Sequence, residues 1–215
     1  MNEARRAVVA GLGTTGLSVV RHLLARGWQV SVTDTRRQPP GLPRLREIAP
    51  RVRVATGGLD VALLADVDCV VTSPGLPSSD PFFVTARGLG LPVIGDIELF
   101  ARSGARPVVG VTGTNGKSTV TTLVAKMAER AGVVARAGGN LGTPALDLLE
   151  AGETGLYVLE LSSYQLESTT SLELAAAAVL NVTPDHLDRY ADVAAYAAAK
   201  ARIFAHTAGR RREPR

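Results

Sequence analysis

The strongest constraint in this chain is a glycine loop placed between an apolar strand and an amphipathic helix. Val108 to Thr112 reads as a buried strand, and Gly113-Thr114-Asn115-Gly116-Lys117-Ser118-Thr119 follows at once. A helical pattern then runs to about Ala131, with Gly132 as its cap. Strand, glycine loop and helix in that order expose backbone N–H groups and the positive end of a helix dipole to one point, which suits a phosphate. Lys117 can reach the outer phosphates of a nucleoside triphosphate, and Ser118 can ligate Mg²⁺. The strict phosphate-loop pattern asks for glycine at 111, where this chain has Val111.

A second unit of the same kind opens the chain. Ala7 to Ala10 is a strand, Gly11-Leu12-Gly13-Thr14-Thr15-Gly16 satisfies G-x-G-x-x-G, and a helix follows to about Arg26, ended by Gly27. The next strand, Gln29 to Thr33, stops at Asp34, at the distance where an acidic residue meets a ribose hydroxyl. By itself this unit favours a dinucleotide such as NAD, or a tight turn with no ligand. Two such loops in one chain weaken the oxidoreductase reading, because one nucleotide would be consumed while the other carries the substrate.

Further short strands are expected at Val52 to Ala55, Cys69 to Thr72, Leu156 to Leu161 and Ala177 to Val182. Asp192 is expected to cap a last helix from Val193 to about Ala205. The alternation predicts an α/β chain: a Rossmann-like first domain over 1–95, a connector over 96–106, and a mainly parallel P-loop-type domain over 107–205, which the resemblance given below implies is an incomplete ATP-binding domain. Residues 206–215 are expected to be a disordered tail. Four of its arginines and its one glutamate lie in the last eight residues, and subtracting their net +3 from the chain's +4 leaves +1 for the rest. With aromatics at 4 %, neither charge nor stacking surface points to nucleic acid. Cys69 is the only cysteine, which suits a reducing compartment and rules out an internal disulfide. No segment reaches the ~18 continuous apolar residues of a membrane span. A cytoplasmic monomer is expected.

Three side chains stand out for chemistry. Glu160 lies among apolar strand residues, where it is either a structural ion pair or a Mg²⁺ ligand near Ser118. His186 follows a strand end, where ligands of open α/β sheets bind, and it is either a surface histidine or a metal ligand. Lys200 shares a helix face with Val193, Tyr196, Ile203 and Phe204. It either snorkels to water or is desolvated, with a lowered pKa and a nucleophilic amine.

The loop TGTNGKST resembles that of the Mur ligases and their folylpolyglutamate synthetase relatives. GLGTTGLS, DTR at Asp34 to Arg36, GDIELF at Gly95 to Phe100, LELSSYQLE at Leu159 to Glu167 and NVTPDHLDRY at Asn181 to Tyr190 are similar to the D-glutamate-adding branch of that family. The similarity covers about residues 7–205. It implies that the first domain takes a UDP-sugar rather than NAD, with Gly13, Thr14, Thr15, Asp34, Thr35, Arg36, Ser73, Pro74 and Gly75 around the nucleotide and Asn140 at the diphosphate end. It implies ATP at Gly113 to Thr119, and Mg²⁺ held by Ser118, Glu160, His186 and a carbamate on Lys200. Lys117, Glu160, His186 and Lys200 would then serve catalysis. The implied reaction is ATP-dependent joining of D-glutamate to UDP-N-acetylmuramoyl-L-alanine through an acyl phosphate. The family also has a C-terminal domain that binds D-glutamate, which these residues do not supply. The chain alone is therefore expected to be inactive, with a non-catalytic nucleotide-binding fragment as the alternative.

Overall fold

The computed structural model describes residues 4–207. Two compact units divide at Asp96, Met1–Asp96 and Ile97–Arg215. In the first, the order is β1 (Arg6–Ala10), α1 (Thr14–Ala25), β2 (Gln29–Asp34), α2 (Leu42–Ile48), β3 (Arg53–Thr56), a 3-10 turn at Val61–Leu64, β4 (Cys69–Thr72), α3 (Pro81–Gly88) and β5 (Val93–Gly95). The five strands are all parallel in the order β3-β2-β1-β4-β5. Central β1 is buried from Ala7 to Ala10, as a parallel strand covered on both faces must be. Val8, Ala10 and Val70 pack on Leu63, Leu64, Phe82, Phe83 and Ala86, with the two phenylalanine rings edge to face at 5.3 Å.

The second unit continues with α4 (Asp96–Arg102), β6 (Val108–Thr112), α5 (Lys117–Arg130), β7 (Ala135–Gly139), α6 (Ala145–Leu148), β8 (Leu156–Glu160), α7 (Ser163–Glu167), β9 (Ala176–Val179) and α8 (Val193–Ala201), which tightens into a 3-10 turn at Arg202–His206. Its sheet is also parallel throughout, ordered β7-β8-β6-β9. Ala125 of α5, with half-buried Val124 and Ala128, covers Val158, Ala135 and Val109. Both long helices stop in the same way. Gly27 N–H donates to Leu24 O and Trp28 N–H to Leu23 O at the end of α1; Gly132 to Glu129 and Val133 to Ala128 repeat the pattern in α5.

Two expectations change. The segment read as a connector, with a helical turn expected at Ile97 to Phe100, carries the longer helix α4 and is tied into the second unit. Buried Glu98 accepts from the backbone amides of Thr170 and Ser171, and Phe100 meets the Tyr157 ring at 5.3 Å. The tail was placed from residue 206, but His206 is buried and its carbonyl accepts from Leu174 N–H at 2.7 Å. Thr207 bridges Leu174 beside it. The rest of the expected tail, 208–215, lies outside the described residues. Among the described residues no helix is long and apolar enough to cross a membrane.

Candidate functional site

In a parallel sheet every strand ends on the same edge, so the loops after the strands gather there. In the first unit this edge holds Gly13 and the first residues of α1, Thr14 and Thr15, after β1, Thr35 and Arg36 after β2, and Ser73, Pro74 and Gly75 after β4. Thr14, Thr35, Arg36 and Gly75 are exposed, whereas Gly13, Thr15, Ser73 and Pro74 are half-buried. Gly16 is required by close approach, since a Cβ there would lie 1.9 Å from the Gly11 carbonyl oxygen.

Asp34 is fully buried and works differently from a ribose acceptor. Its Oδ2 accepts from Leu12 N–H at 2.7 Å and from Arg36 Nη2 at 2.7 Å. Its Oδ1 accepts from Arg36 N–H at 2.8 Å and Arg36 Nε at 2.9 Å. A carboxylate has about four lone-pair positions, and these four bonds use them. Burial alone would raise its pKa, but the Arg36 and Leu12 donors hold it below the ordinary carboxylate value. Asp34 is thus a staple between the glycine loop and Arg36. In this arrangement both carboxylate oxygens are engaged within the unit.

In the second unit the loop between β6 and α5 carries the strain of its bend at glycines, with Gly113 at φ +154° and Gly116 at φ +81°. Val111 is a buried residue inside β6, so the departure from the strict pattern falls in the strand and leaves the bend intact. Lys117 folds back over the loop, its Nζ donating to Thr114 O at 2.9 Å. Asn115 and Gly116 at the apex, and Ser118 and Thr119 on the first turn of α5, are exposed.

Glu160 ends β8 and is buried. It accepts from Ser118 Oγ at 2.7 Å and from Asn140 Nδ2 at 2.8 Å. Asn140 also donates its backbone N–H to Glu160 O. Immediately after, the chain turns into α7 through a capping box of Ser162 and Gln165, which fixes the exit from β8. Hydroxyl and amide donors, rather than a cation, thus satisfy the carboxylate. A hydroxyl and a carboxylate on the phosphate-loop edge are hard oxygen donors of the kind Mg²⁺ takes, so these residues fit that ion. Among the described residues no group of three or more His, Cys, Asp or Glu side chains is placed to hold a metal.

Lys200 does not snorkel. It is 2 % exposed, its Nζ donates to Gly113 O at 2.8 Å, and it sits 4.3 Å over the Tyr196 ring one helical turn back. Burial, then the charge of Lys117, pull its pKa down to about 8 against an opposing pull from Asp185. His186 lies on an exposed loop at φ +55°, with Asp185 3.7 Å away. Its ring stands 5.2 Å from Tyr164 and 5.8 Å from Tyr196. Three of the four tyrosines of the chain, Tyr164, Tyr190 and Tyr196, stack into this one cluster. Sequence reasoning placed Tyr196 on the Lys200 face but missed the cluster, whose only sequence signal is the spacing of four from Tyr196 to Lys200. The structure thus joins Ser118, Glu160 and Asn140 in one group and Lys117, Lys200 and the loop carbonyls in another, with His186 reaching Lys200 through Tyr196.

A parallel α/β unit whose first strand passes through a lysine-bearing glycine loop into a helix defines a phosphate-loop nucleotide-binding protein. The chain belongs more narrowly to the Mur ligase family: residues 5–95 match the Mur ligase MurD-like N-terminal domain, and residues 111–210 match the Mur ligase middle domain. It is 53 % identical over 204 residues to the UDP-N-acetylmuramoylalanine--D-glutamate ligase of Nitrosococcus oceani, covering 95 % of this chain and 45 % of that protein. It is 54 % identical over 201 residues to the ligase of the same name from Vibrio parahaemolyticus, covering 93 % and 45 %. The chain spans somewhat under half the length of these relatives. Among solved structures, its fold is similar to UDP-N-acetylmuramate:L-alanyl-gamma-D-glutamyl-meso-diaminopimelate ligase from Neisseria meningitides (TM-score 0.63, 20 % identity, 97 % of this chain and 72 % of that one). It is likewise similar to UDP-N-acetylmuramate-alanine ligase from Thermotoga maritima (TM-score 0.57, 22 % identity, 94 % and 47 %).

Proposed function

We propose that this protein acts in the ATP-dependent ligation of D-glutamate to UDP-N-acetylmuramoyl-L-alanine, a step of peptidoglycan synthesis, in the cytoplasm and as a monomer. The observation that carries the reading is the pairing of Ser118 with buried Glu160 beside a loop whose carbonyls hold Lys117 and Lys200. The kinship with D-glutamate ligases supplies the substrates.

In this reading the amides of Gly113 to Thr119 and the charge of Lys117 bind the ATP phosphates. The substrate carboxylate attacks the terminal phosphorus and ADP leaves; the amine of D-glutamate then attacks the acyl phosphate and inorganic phosphate leaves. No protein nucleophile is needed, so the chain contributes positioning and fixed charge. Mg²⁺, when bound, neutralises charge on the phosphates. Ser118, Glu160, His186 and a carbamylated Lys200 are the residues that would hold it. Lys200 is suited to carbamylation: at a pKa near 8 a usable share of its amine is neutral. The ammonium first gives one proton to solvent; the neutral amine nitrogen then bonds to the carbon of CO₂ as one C–O π bond opens, and a second proton leaves, so that a cation becomes an anionic oxygen donor.

Gly13, Thr14, Thr15, Thr35, Arg36, Ser73, Pro74 and Gly75 take the uridine nucleotide, and Asp34 acts through the Leu12 amide and Arg36 that it holds. Asn140 serves the diphosphate end while orienting Glu160. A non-catalytic nucleotide-binding role is the second reading. An NAD role is disfavoured by the full engagement of Asp34.

Calorimetric titration tests the choice of nucleotide. UDP-N-acetylmuramoyl-L-alanine is expected to bind the chain saturably at micromolar concentration, and NAD is expected to give no heat of binding. Saturable micromolar NAD binding, with none for the UDP substrate, overturns the reading.

A further inference from the structure

We infer that Asn181 is a positioning residue for ATP: its side-chain amide clasps the apex of the phosphate loop and sets the direction of the loop's amides. The inference rests on the phosphate-loop reading above and deepens it. Asn181 stands just beyond β9, on the segment that leads on to His186. Its Oδ1 accepts from Asn115 N–H at 2.9 Å, and its Nδ2 donates to Asn115 O at 3.0 Å. One planar amide therefore reads both polar groups of a single loop peptide residue, much as a neighbouring strand would. Its backbone carbonyl accepts from Thr114 N–H at 3.0 Å, and Leu180 N–H donates to Thr112 O at 2.9 Å. Thr183 N–H then donates to Thr114 Oγ1 at 3.1 Å. The strap from Leu180 to Thr183 thus lies along the loop as a continuation of the β6–β9 pairing, past the point where both strands have ended.

The placement matters because Asn115 and Gly116 are the exposed apex of the loop. Loop amides bind phosphate only if they are aimed before the anion arrives; a loop that must be ordered on binding loses affinity to that ordering. Lys117 anchors to Thr114 O from one side. Asn181 fixes Thr114 and Asn115 from the other. Asn181 is itself exposed, so it buries no apolar surface, and its removal is not expected to unfold the unit.

The test compares Asn181→Ala and Asn181→Asp with the unaltered chain by Mg·ATP titration, melting temperature, and the amide resonance of Asn115. Alanine removes both side-chain bonds, and ATP affinity is expected to fall about tenfold, with the ligand-free melting temperature unchanged and the Asn115 resonance displaced. Aspartate keeps the shape and the acceptor but loses the donor and sets a negative charge near the triphosphate. It is expected to return the Asn115 resonance toward its original position without restoring affinity. Affinity of Asn181→Ala within about twofold of the unaltered chain overturns the inference. So does an Asn115 amide resonance left unmoved in Asn181→Ala, which would mean that the side chain does not orient the loop. Should the alanine variant fail to fold, the isosteric aspartate decides. If the unaltered chain binds no ATP, the phosphate-loop reading itself fails and the inference falls with it.

Discussion

Lys117→Ala is expected to weaken Mg·ATP binding at least about 100-fold. The ammonium of Lys117 already lies over the loop, held on Thr114 O at 2.9 Å, so little side-chain freedom is lost when phosphate arrives. Its charge-assisted bonds to the triphosphate form beside a loop whose other donors are neutral amides, and such bonds are roughly twice as strong as neutral ones. Truncation also leaves the Thr114 carbonyl facing the anion without a cation between them. Lys117→Arg keeps the charge but replaces a compact ammonium by a planar fork, so an intermediate affinity is expected. Isothermal titration reads both variants. An affinity for Lys117→Ala within about threefold of the unaltered chain would mean that the loop does not bind phosphate through this residue.

Glu98→Ala is expected to destabilise the second unit by about 2–3 kcal/mol. Glu98 is 1 % exposed and receives four donors: Thr170 N–H at 2.8 Å, Ser171 N–H at 3.0 Å, Ser171 Oγ at 2.8 Å and Arg102 Nε at 2.9 Å. The Arg102 pair contributes little alone, because Arg102 is half exposed and an exposed pair is worth about 0–1 kcal/mol. The two backbone amides dominate, since each loses a charged acceptor, at 2.8 and 3.0 Å, when the carboxylate is gone. Burial by itself would raise the pKa of Glu98; the amides of Thr170 and Ser171, the Ser171 hydroxyl and Arg102 outweigh it and set it at about 2. The folded value lies below the ordinary 4.5, so this contribution is fully present above pH 4.5 and is lost as pH falls toward 2. Urea unfolding across that range should show a steep acid loss in the unaltered chain and a flatter one in Glu98→Ala. Equal acid slopes would show that Glu98 is not the group that couples the unit to pH.

The sequence made the two glycine loops and their helices legible because each is local. A strand, a bend that needs glycine and an amphipathic run are all read within about thirty residues, and the glycines that end α1 and α5 are equally local. Asp192 was legible for the same reason, as it accepts from Ala195 N–H within its own first turn. What escaped was non-local. Strands β5 and β7 were not anticipated: Val93–Gly95 is three residues long, and Ala135–Gly139 has two alanines and two glycines, so neither shows alternation. Their pairing with β4 and β8 makes them strands. Lys200 had two readings on its helix face, and a carbonyl 87 residues away decided between them. Asp34 was legible as the acidic end of β2, but the Leu12 amide and the Arg36 side chain that it accepts from appear only after folding. Glu98 was visible only as part of a familiar string, and its partners lie 72 and 73 residues downstream.

On this account the chain binds two nucleotides at once, a UDP-sugar whose uridine end is held by the first unit and an ATP whose phosphates are held by the loop of the second. An order-of-addition titration addresses it directly. The chain is first saturated with UDP-N-acetylmuramoyl-L-alanine, Mg·ATP is then titrated in, and the experiment is repeated with Lys117→Ala. The expected result is one equivalent of ATP bound to the already saturated chain, with Lys117→Ala losing the ATP heat and keeping the UDP-substrate heat. Displacement of the UDP substrate by ATP, or equal loss of both ligands in Lys117→Ala, would contradict the account.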